Sequence, residues 1–335
     1  MFINQPPINS ELSIALEEVM LKITPPLQRK IEHSIELLRK AEKIALAYDK
    51  ENGYWLAFSA GKDSQCLYHI AKLANVHFKA HMNLTSVDPP EVIRFLKQQY
   101  PDVERIKPSR SIFQSAIHRK CLPSKFVRWC CAEFKEGAGA GRVTLIGIRK
   151  AESANRAKRN EVETSNRKFS GTLEGLDDYR KTIKKPKSIN ITNATEEQTL
   201  GCISGKETLL ISPILEWADE EVWEFLGVIG VSHCEVYDKG IKRVGCLYCP
   251  MSRPWQKKIE AKVYPHIRRN WINTIKAIRE AKAKEGELSG MWKAVPDWET
   301  DPDKIATNIC DWWISEINYH DWYTKRFSNL NLFDI

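Results

Sequence analysis

Short apolar runs alternating with helical stretches predict an α/β fold: a doubly wound, mostly parallel sheet with helical N- and C-terminal additions. Three observations support this class. "YWLAFS" (54–59) is an apolar run suited to a buried strand, and the helical pattern of "SQCLYHIAKLA" (64–74) follows almost at once. "VHFKAHMNL" (76–84) alternates as a second strand and leads to a helix over 89–100 with prolines in its first turn. "RVTLIGI" (142–148) supplies a third strand.

Two helices precede the first strand, over 11–22 and 26–48, punctuated by Pro25 and Pro26. In the second, Leu27, Ile31, Ile35, Leu38, Ala41 and Ile44 recur at helical spacing and mark its packed face. Leu67, Ile70, Ala71 and Leu73 are available for the packed face of the helix at 64–74. Residues 157–208 are polar and irregular, and read as an inserted, partly mobile segment containing a hairpin. "LLISPI" (209–214) returns to strand, and 218–230 is a short helix whose opening acids suit its positive N-terminal end. A long basic helix is expected around 257–285 and a Trp-rich helical end around 308–325. The expected organisation is a helical extension over 1–49, a core over 50–255 carrying the insertion, and a helical region over 256–335.

The 335 residues are 42% hydrophobic and 28% charged, ordinary for a soluble globular protein with a real core. No run approaches the apolar length of a membrane span, and "MFINQPPINSELS" lacks the regions of a secretory signal. The expected location is the cytoplasm, without a membrane partner. A formal charge of +8 suits anionic ligands such as nucleotides, sulfate esters or nucleic acid. Nine cysteines in such a chain point to metal or redox use for those that cluster.

The "SAGKDS" stretch (59–64) joins the first strand to its helix, where free backbone N–H groups face an incoming anion. Gly61 lets the backbone approach closely, Ser59 and Ser64 add hydroxyl donors, and Lys62 adds positive charge. Asp63 caps the helix or positions a bound metal. The loop is not a Walker A motif, which needs Gly where Leu56 stands and Ser or Thr where Asp63 stands. The plain alternative is an ordinary strand–turn–helix corner.

"RWCCAEFK" places Cys130 beside Cys131, and "RVGCLYCP" supplies Cys246 and Cys249 as a C-x-x-C. Two such pairs suit a [4Fe–4S] cluster; zinc and a redox dithiol are the alternatives.

The strand–SAGKDS–helix arrangement resembles the pyrophosphate loop of the PP-loop ATP pyrophosphatases, usually written SGGKDS, with Ala60 replacing the second small residue. Together with Cys-Cys and a distant C-x-x-C, it looks like the cluster-bearing adenylylsulfate reductases of the phosphoadenylylsulfate (PAPS) reductase family. "GIRKAESANRAK" (147–158) is similar to the family's segment whose arginines contact the anionic end of the nucleotide. The stretch from "SPILEWADEEVWEFL" into "VYDKGIKRVGCLYCP" is also similar, with Pro213, Trp217 and Trp223 as packing residues. The resemblance runs from about 50 to 255 outside the insertion. It implies an adenine nucleotide alpha hydrolase-like fold and an adenine nucleotide, ATP with Mg²⁺ above all, on Ser59, Ala60, Gly61, Lys62, Asp63, Ser64, Arg149 and Arg156. Lys62, Asp63 and Arg149 are the implied catalytic residues, with Glu152 and Ser153 as polar supports. The implied cluster ligands are Cys130, Cys131, Cys246 and Cys249.

The resemblance also has a gap. Reductases of the family carry a catalytic Cys near the C-terminus, whereas this sequence ends "TKRFSNLNLFDI" and has no cysteine after Cys310, which reads as a core residue. Cys121, Cys202 and Cys234 are the substitutes; Cys66 reads as core. The leading expectation is an ATP-dependent sulfur-transfer enzyme that adenylylates an acceptor and releases pyrophosphate, with nucleic acid as a candidate acceptor. Relatives of this type include the sulfur-insertion enzymes of DNA phosphorothioation systems. A sulfonucleotide reductase using an internal or partner thiol, and a non-catalytic nucleotide- and cluster-binding subunit, are the alternatives. A sulfur donor protein or thiol reductant, and a homodimer, complete the expected partners.

Overall fold

Strand β1 (Tyr54–Ala57) is the hinge of the topology, because the chain builds outward from it in one direction and then returns to its other side. The structure is a computed structural model that describes residues 10–182, 207–293, 295–315 and 317–327. Helices α1 (Ser10–Lys22) and α2 (Pro25–Tyr48) precede β1; α3 (Lys62–Ala74), β2 (Phe78–Asn83), α4 (Pro90–Gln99), β3 (Glu104–Ile106) and α5 (Ile112–Arg119) follow. A helical turn α6 (Trp129–Cys131) leads to β4 (Val143–Leu145), β5 (Val162–Thr164), β6 (Ser170–Gly171), α7 (Leu173–Thr182), β7 (Leu209–Ile211) and α8 (Asp219–Val228). The remaining helices are α9 (Pro254–Val263), α10 (Pro265–Lys284), α11 (Pro302–Ser315) and α12 (Tyr319–Phe327).

The sheet order is β3-β2-β1-β4-β7-β5-β6. Strands β3, β2, β1, β4 and β7 are parallel, while β5 runs antiparallel to β7 and to β6. The doubly wound, mostly parallel sheet expected from the alternating pattern is therefore present. Its strand order reverses between β1 and β4, and in open α/β sheets such a switch point opens a crevice at the strands' C-terminal ends. The loop after β1 carries Ser59–Ser64, and the loop after β4 carries Gly147 and Arg149.

The residues group into two compact units that interleave along the chain. One comprises Met1–Asn83, Arg94–Ile106 and Glu136–Cys234, and holds the sheet. Its core forms as the helical spacing of α2 demands: Leu27, Ile31, Leu38 and Ala41 are buried on one face, and the Tyr54 hydroxyl of β1 donates to the Leu38 carbonyl at 2.7 Å. On α3, Cys66, Leu67, Ile70 and Ala71 are fully buried. The β5–β6 hairpin lies within the polar segment, whose residues 183–206 are outside the described residues.

The other unit comprises Leu84–Ile93, Lys107–Lys135 and Glu235–Ile335. Trp271 on α10 is buried between Phe113 of α5 and Trp313 of α11, with ring centroids 4.9 and 4.8 Å away. Aromatic pairs of this kind add about 0.5–1.5 kcal/mol beyond area burial. The single long basic helix expected around 257–285 is corrected to two, α9 and α10, divided at Tyr264–Pro265. Proline has no N–H to continue the α9 ladder but suits the first turn of α10. The Trp-rich end likewise divides into α11 and α12. Strand β3 and helix α5 were not expected; α5 begins at a Ser111–Gln114 capping box.

Two histidines of the sheet unit make it acid-sensitive. His81 is buried and stacked on Trp55 at 3.5 Å, and burial, aided by Lys79 and Arg142 against Glu104, holds its pKa down to about 4. Burial, with Lys72 adding and Asp102 opposing, lowers His69 to about 4 as well. A depressed folded pKa means the unfolded chain takes the proton first as pH falls, so this stability is complete above about pH 6.5 and lost on the way down to about pH 4. Each histidine is expected to contribute up to about 3 kcal/mol of that loss. Urea midpoints measured across this window should fall steeply for the native protein and less steeply for His81→Gln; parallel slopes would contradict the assignment.

Candidate functional site

The loop between β1 and α3 is shaped by its own hydroxyls. The Ser64 hydroxyl donates to the Gly61 carbonyl at 2.9 Å and accepts the Ser59 N–H at 3.1 Å, and the two serine hydroxyls lie 3.1 Å apart. Ser64 is buried and Ser59 exposed, so Ser64 stitches the turn while Ser59 faces outward. Gly61 is the N-cap of α3 and brings no side chain to its first turn, which leaves backbone N–H donors for an anion. Ala60 is buried with φ +59, in the left-handed region that costs an L-residue about 1–2 kcal/mol. The small residue at this position thus has a backbone reason that its side chain does not reveal.

Four charged side chains meet beside this loop. Lys62 Nζ lies 2.9 Å from Asp63 Oδ1 and 2.8 Å from Asp219 Oδ1. Arg149 donates from Nε to Asp63 at 2.7 Å, from Nη2 to Asp219 at 2.6 Å and from Nη1 to the Trp217 carbonyl at 3.2 Å. Arg149 is only 1% exposed and Lys62 is also buried. Burial alone would lower the Arg149 pKa, but Asp63 and Asp219 outweigh it and raise it. Burial pushes the Asp219 carboxyl up, and Lys62 and Arg149 more than offset this, holding it below the usual range.

The loop after β4 is fitted against the same turn. A Cβ on Gly147 would stand 2.9 Å from the Asp63 carbonyl oxygen, so only glycine permits this approach. Glu152 accepts the Arg149 N–H at 2.9 Å and also pairs with Arg156, whose N–H lies 3.3 Å from the Ser153 hydroxyl. Arg149 therefore lies at the loop, while Arg156 is one partner removed from it. Asp219 and Gly147 were missed as site residues: Asp219 reads as a helix-start acid, and its contacts with Lys62 and Arg149 come from folding alone.

The second group lies in the other unit, where Cys130, Cys131, Cys246 and Cys249 are electrostatic neighbours. Its hydrogen bond to Cys131, then burial and the charges of Cys249 and Cys246, push the Cys130 thiol up. The same bond holds Cys131 down, against burial and with help from Arg128 and Lys135. Burial raises Cys249, whose sulfur accepts the Met251 N–H at 3.4 Å. Tyr248, with φ +57, turns the chain between Cys246 and Cys249. Its N–H donates at 2.7 Å to Glu260, a buried carboxyl that also accepts from Gln256 at 2.8 Å. Cys246 Sγ lies 3.4 Å from the Thr85 hydroxyl. Desolvation of its ammonium would lower the Lys135 pKa, but its hydrogen-bonded partner Cys246, with Asp88 and Cys249, outweighs this and raises it. Among the described residues no three His, Cys, Asp or Glu side chains converge on a site for a single metal ion.

The other thiols are differently placed. Cys66, Cys234 and Cys310 are fully buried, and burial raises Cys66 strongly and Cys310 to about 12. Cys121 Sγ donates to the Leu122 carbonyl at 3.3 Å. Cys202 lies outside the described residues.

A model of the phosphoadenosine phosphosulfate reductase domain matches residues 53–252. The chain belongs to this family. The match takes in the Ser59–Ser64 loop, Arg149, Asp219 and all four clustered cysteines. The uncharacterized protein MJ0973 of Methanocaldococcus jannaschii is 23% identical over 303 residues, 87% of this chain and 62% of that protein. MJ0066 of the same organism is 23% identical over 256 residues, 71% and 45% of the two chains. The chain thus spans less than two thirds of the length of these curated relatives. Among solved structures it is similar to Candida glabrata FMN adenylyltransferase in complex with FMN and the ATP analog AMPCPP, with a TM-score of 0.43 and 13% identity over 71% of this chain and 72% of that one. It is also similar to Candida auris PAPS reductase in a phosphate complex, with a TM-score of 0.38 and 14% identity over 73% and 98%. No helix among the described residues is long and apolar enough to cross a membrane.

The fit of Gly147 against the loop of this family member gives a direct test. Gly147→Ala is expected to lower unfolding free energy by about 1–3 kcal/mol, as overpacking against backbone does. Gly227→Ala on α8, where an added Cβ meets nothing within 4 Å, should not destabilise. Denaturant midpoints of the two variants check this, and equal midpoints would contradict it.

Proposed function

We propose that the protein binds ATP with Mg²⁺ at the Ser59–Ser64 loop and adenylylates an acceptor oxygen with release of pyrophosphate, after which a sulfur donor displaces the adenylate. The observation that carries this reading is the carboxylate pair, Asp63 and Asp219, gripped at the loop by Lys62 and Arg149. Two acids beside a helix N-terminus suit a nucleotide that arrives with a divalent ion. Asp63 and Asp219 would hold Mg²⁺, which when bound shields the charge of the phosphates. Backbone N–H groups at Ala60, Gly61 and the start of α3, with the Ser59 hydroxyl, receive the phosphates, and Lys62 and Arg149 neutralise the departing pyrophosphate. Arg156 acts through Glu152 by keeping the Arg149 segment in place. In the chemical step the acceptor oxygen forms a bond to the α-phosphorus and loses its proton to solvent. The α-phosphorus bond to the bridging oxygen breaks, and pyrophosphate leaves with the electron pair. Donor sulfur then bonds the acceptor as its bond to the adenylate oxygen breaks, releasing AMP.

Cys130, Cys131, Cys246 and Cys249 would hold a [4Fe–4S] cluster, and four mutually interacting thiols beside the Lys135 ammonium fit its sulfur ligation and negative charge. Such a cluster, when bound, supplies a holding place for the incoming sulfur. Eight free thiols among the described residues suit the reducing cytoplasm. Family membership favours a second reading, sulfonucleotide reduction. That chemistry needs a thiolate to attack sulfur, whereas outside the four the described thiols are buried or bonded to a carbonyl, so Cys202 or a partner's thiol would have to supply it.

Anaerobically purified, iron-loaded protein given ATP, Mg²⁺, a nucleic-acid acceptor and a sulfide source is expected to release acceptor-dependent pyrophosphate. Given PAPS or adenylylsulfate with a thiol reductant, it is expected to release no sulfite; sulfite in place of pyrophosphate would establish the second reading. Lys62→Ala should weaken ATP binding at least about ten-fold in a calorimetric titration while iron content is retained, and unchanged affinity would remove Lys62 from the site. Cys246→Ser should lose the iron, and stoichiometric iron in that variant would refute the ligand set.

A further inference from the structure

The unit that holds the clustered cysteines also contains a cavity of about 430 Å³, lined by Arg110, Ser115, His118, Arg119 and Glu133. Small-ligand sites commonly run from roughly 300 to 1,000 Å³. The local sequence explains why these side chains meet. Ser111 caps α5, and Ser115, His118 and Arg119 then stand at i, i+3 and i+4, on one face of the helix. Arg110 immediately precedes the cap, and Glu133 lies in the turn Ala132–Glu136 that continues from Cys131.

Glu133 engages part of this lining. Ser115 is 1% exposed, and its hydroxyl donates to Glu133 Oε1. Arg119 donates from Nε to Glu133 Oε2 at 3.0 Å, with Nη2 2.9 Å from the same oxygen. Its guanidinium carbon lies 5.3 Å from the Trp129 ring centroid. These contacts pin the cysteine-bearing turn to α5 and hold Arg119 in place. They do not need Arg110 or His118. Both are exposed, and among the described residues neither makes a hydrogen bond or an ion pair.

Two guanidiniums against one carboxylate leave the cavity positive, and protonation of His118 adds a further charge. Glu133 takes the Nε–Nη2 edge of Arg119, so Nη1, the Arg110 fork and the imidazole remain as donors. A carboxylate has two oxygens and one charge to offer them. A phosphate or sulfate group offers three or four oxygens and up to two charges, which is the better match to forked donors in excess of their counter-ion.

We propose that this cavity binds a tetrahedral oxyanion, a phosphate or sulfate group, on Arg110, His118 and Arg119, with Ser115 and Glu133 positioning Arg119. The site goes beyond adenylylation at the Ser59–Ser64 loop and does not rest on it. Through Glu133, which follows Cys131 by two residues, the donor Arg119 is tied to the turn that carries the cysteine pair. Glu133 positions that donor while its own charge opposes the anion, so its neutralisation should strengthen binding.

Calorimetric titration of anaerobic, iron-loaded protein with inorganic phosphate, sulfate and acetate is the test. Phosphate or sulfate should bind with a Kd below about 10 mM, and at least about ten-fold more tightly than acetate. The tighter of the two identifies the source, a phosphate ester or a sulfur oxyanion. The Ser59–Ser64 loop also suits phosphate, so variants assign the heat. Arg110→Gln and His118→Gln should each weaken binding roughly ten-fold, with ATP affinity, iron content and thermal midpoint unchanged. Lys62→Ala should leave this binding intact. Glu133→Gln, which keeps an acceptor oxygen, should tighten it about three-fold or more, a gain that a purely structural carboxylate would not give. Acetate binding as tightly as phosphate and sulfate, no oxyanion binding in this range, or affinity unchanged in both Arg110→Gln and His118→Gln would overturn the proposal.

Discussion

A buried guanidinium sets the conditions for everything around the loop after β1. Arg149 is almost wholly withdrawn from water, so its charge must be met by carboxylates and its N–H groups by acceptors. Asp63 and, from a distant part of the chain, the neighbouring Trp217 carbonyl and Asp219 do so. The one side chain thereby ties the end of β4 to the first turn of α3 and to the start of α8. Removing one partner from a buried charged group typically costs about 3–5 kcal/mol, because a charge is left unmatched. Lys62 draws on the same two carboxylates, so the four charges form one network and no member moves independently of the others.

That network explains why small residues cluster nearby. Gly147 leaves room for the Asp63 carbonyl, and Ala60 accepts a left-handed backbone so that the chain can turn from β1 into α3. The cysteine unit has a parallel device in Glu260. Its buried carboxyl accepts the Tyr248 N–H and so fixes the left-handed turn between Cys246 and Cys249. Burial raises the Glu260 pKa despite these bonds, which shows how far the carboxyl has been taken from solvent.

Much of this was legible in the residues. The α2 stripe from Leu27 to Ile44, the strand–loop–helix at 54–74 and the third strand near 143 follow from periodicity and are present. Strand β3 was invisible because Glu104–Ile106 is three residues on a sheet edge with little apolar alternation. Pro265 was the readable signal for dividing the basic helix, and the Ser111–Gln114 pair was the readable signal for α5. The Ser59–Ser64 loop and the four cysteines could be named from local motifs. Asp219 could not: its distance in sequence from Lys62 and Arg149 is closed only by the fold, and its position among helix-start acids conceals it. Lys135 and Glu260 are of the same kind, ordinary charges given meaning by the partners the fold brings to them.

In the proposed reaction the Ser59–Ser64 loop promotes cleavage between the α- and β-phosphates of ATP. Phosphorus NMR of the iron-loaded protein with ATP, Mg²⁺, acceptor and sulfide source tests it most directly, because the products reveal which bond breaks. Pyrophosphate with AMP or an adenylylated acceptor is expected. ADP with inorganic phosphate, or intact ATP while PAPS is converted to sulfite, would contradict it.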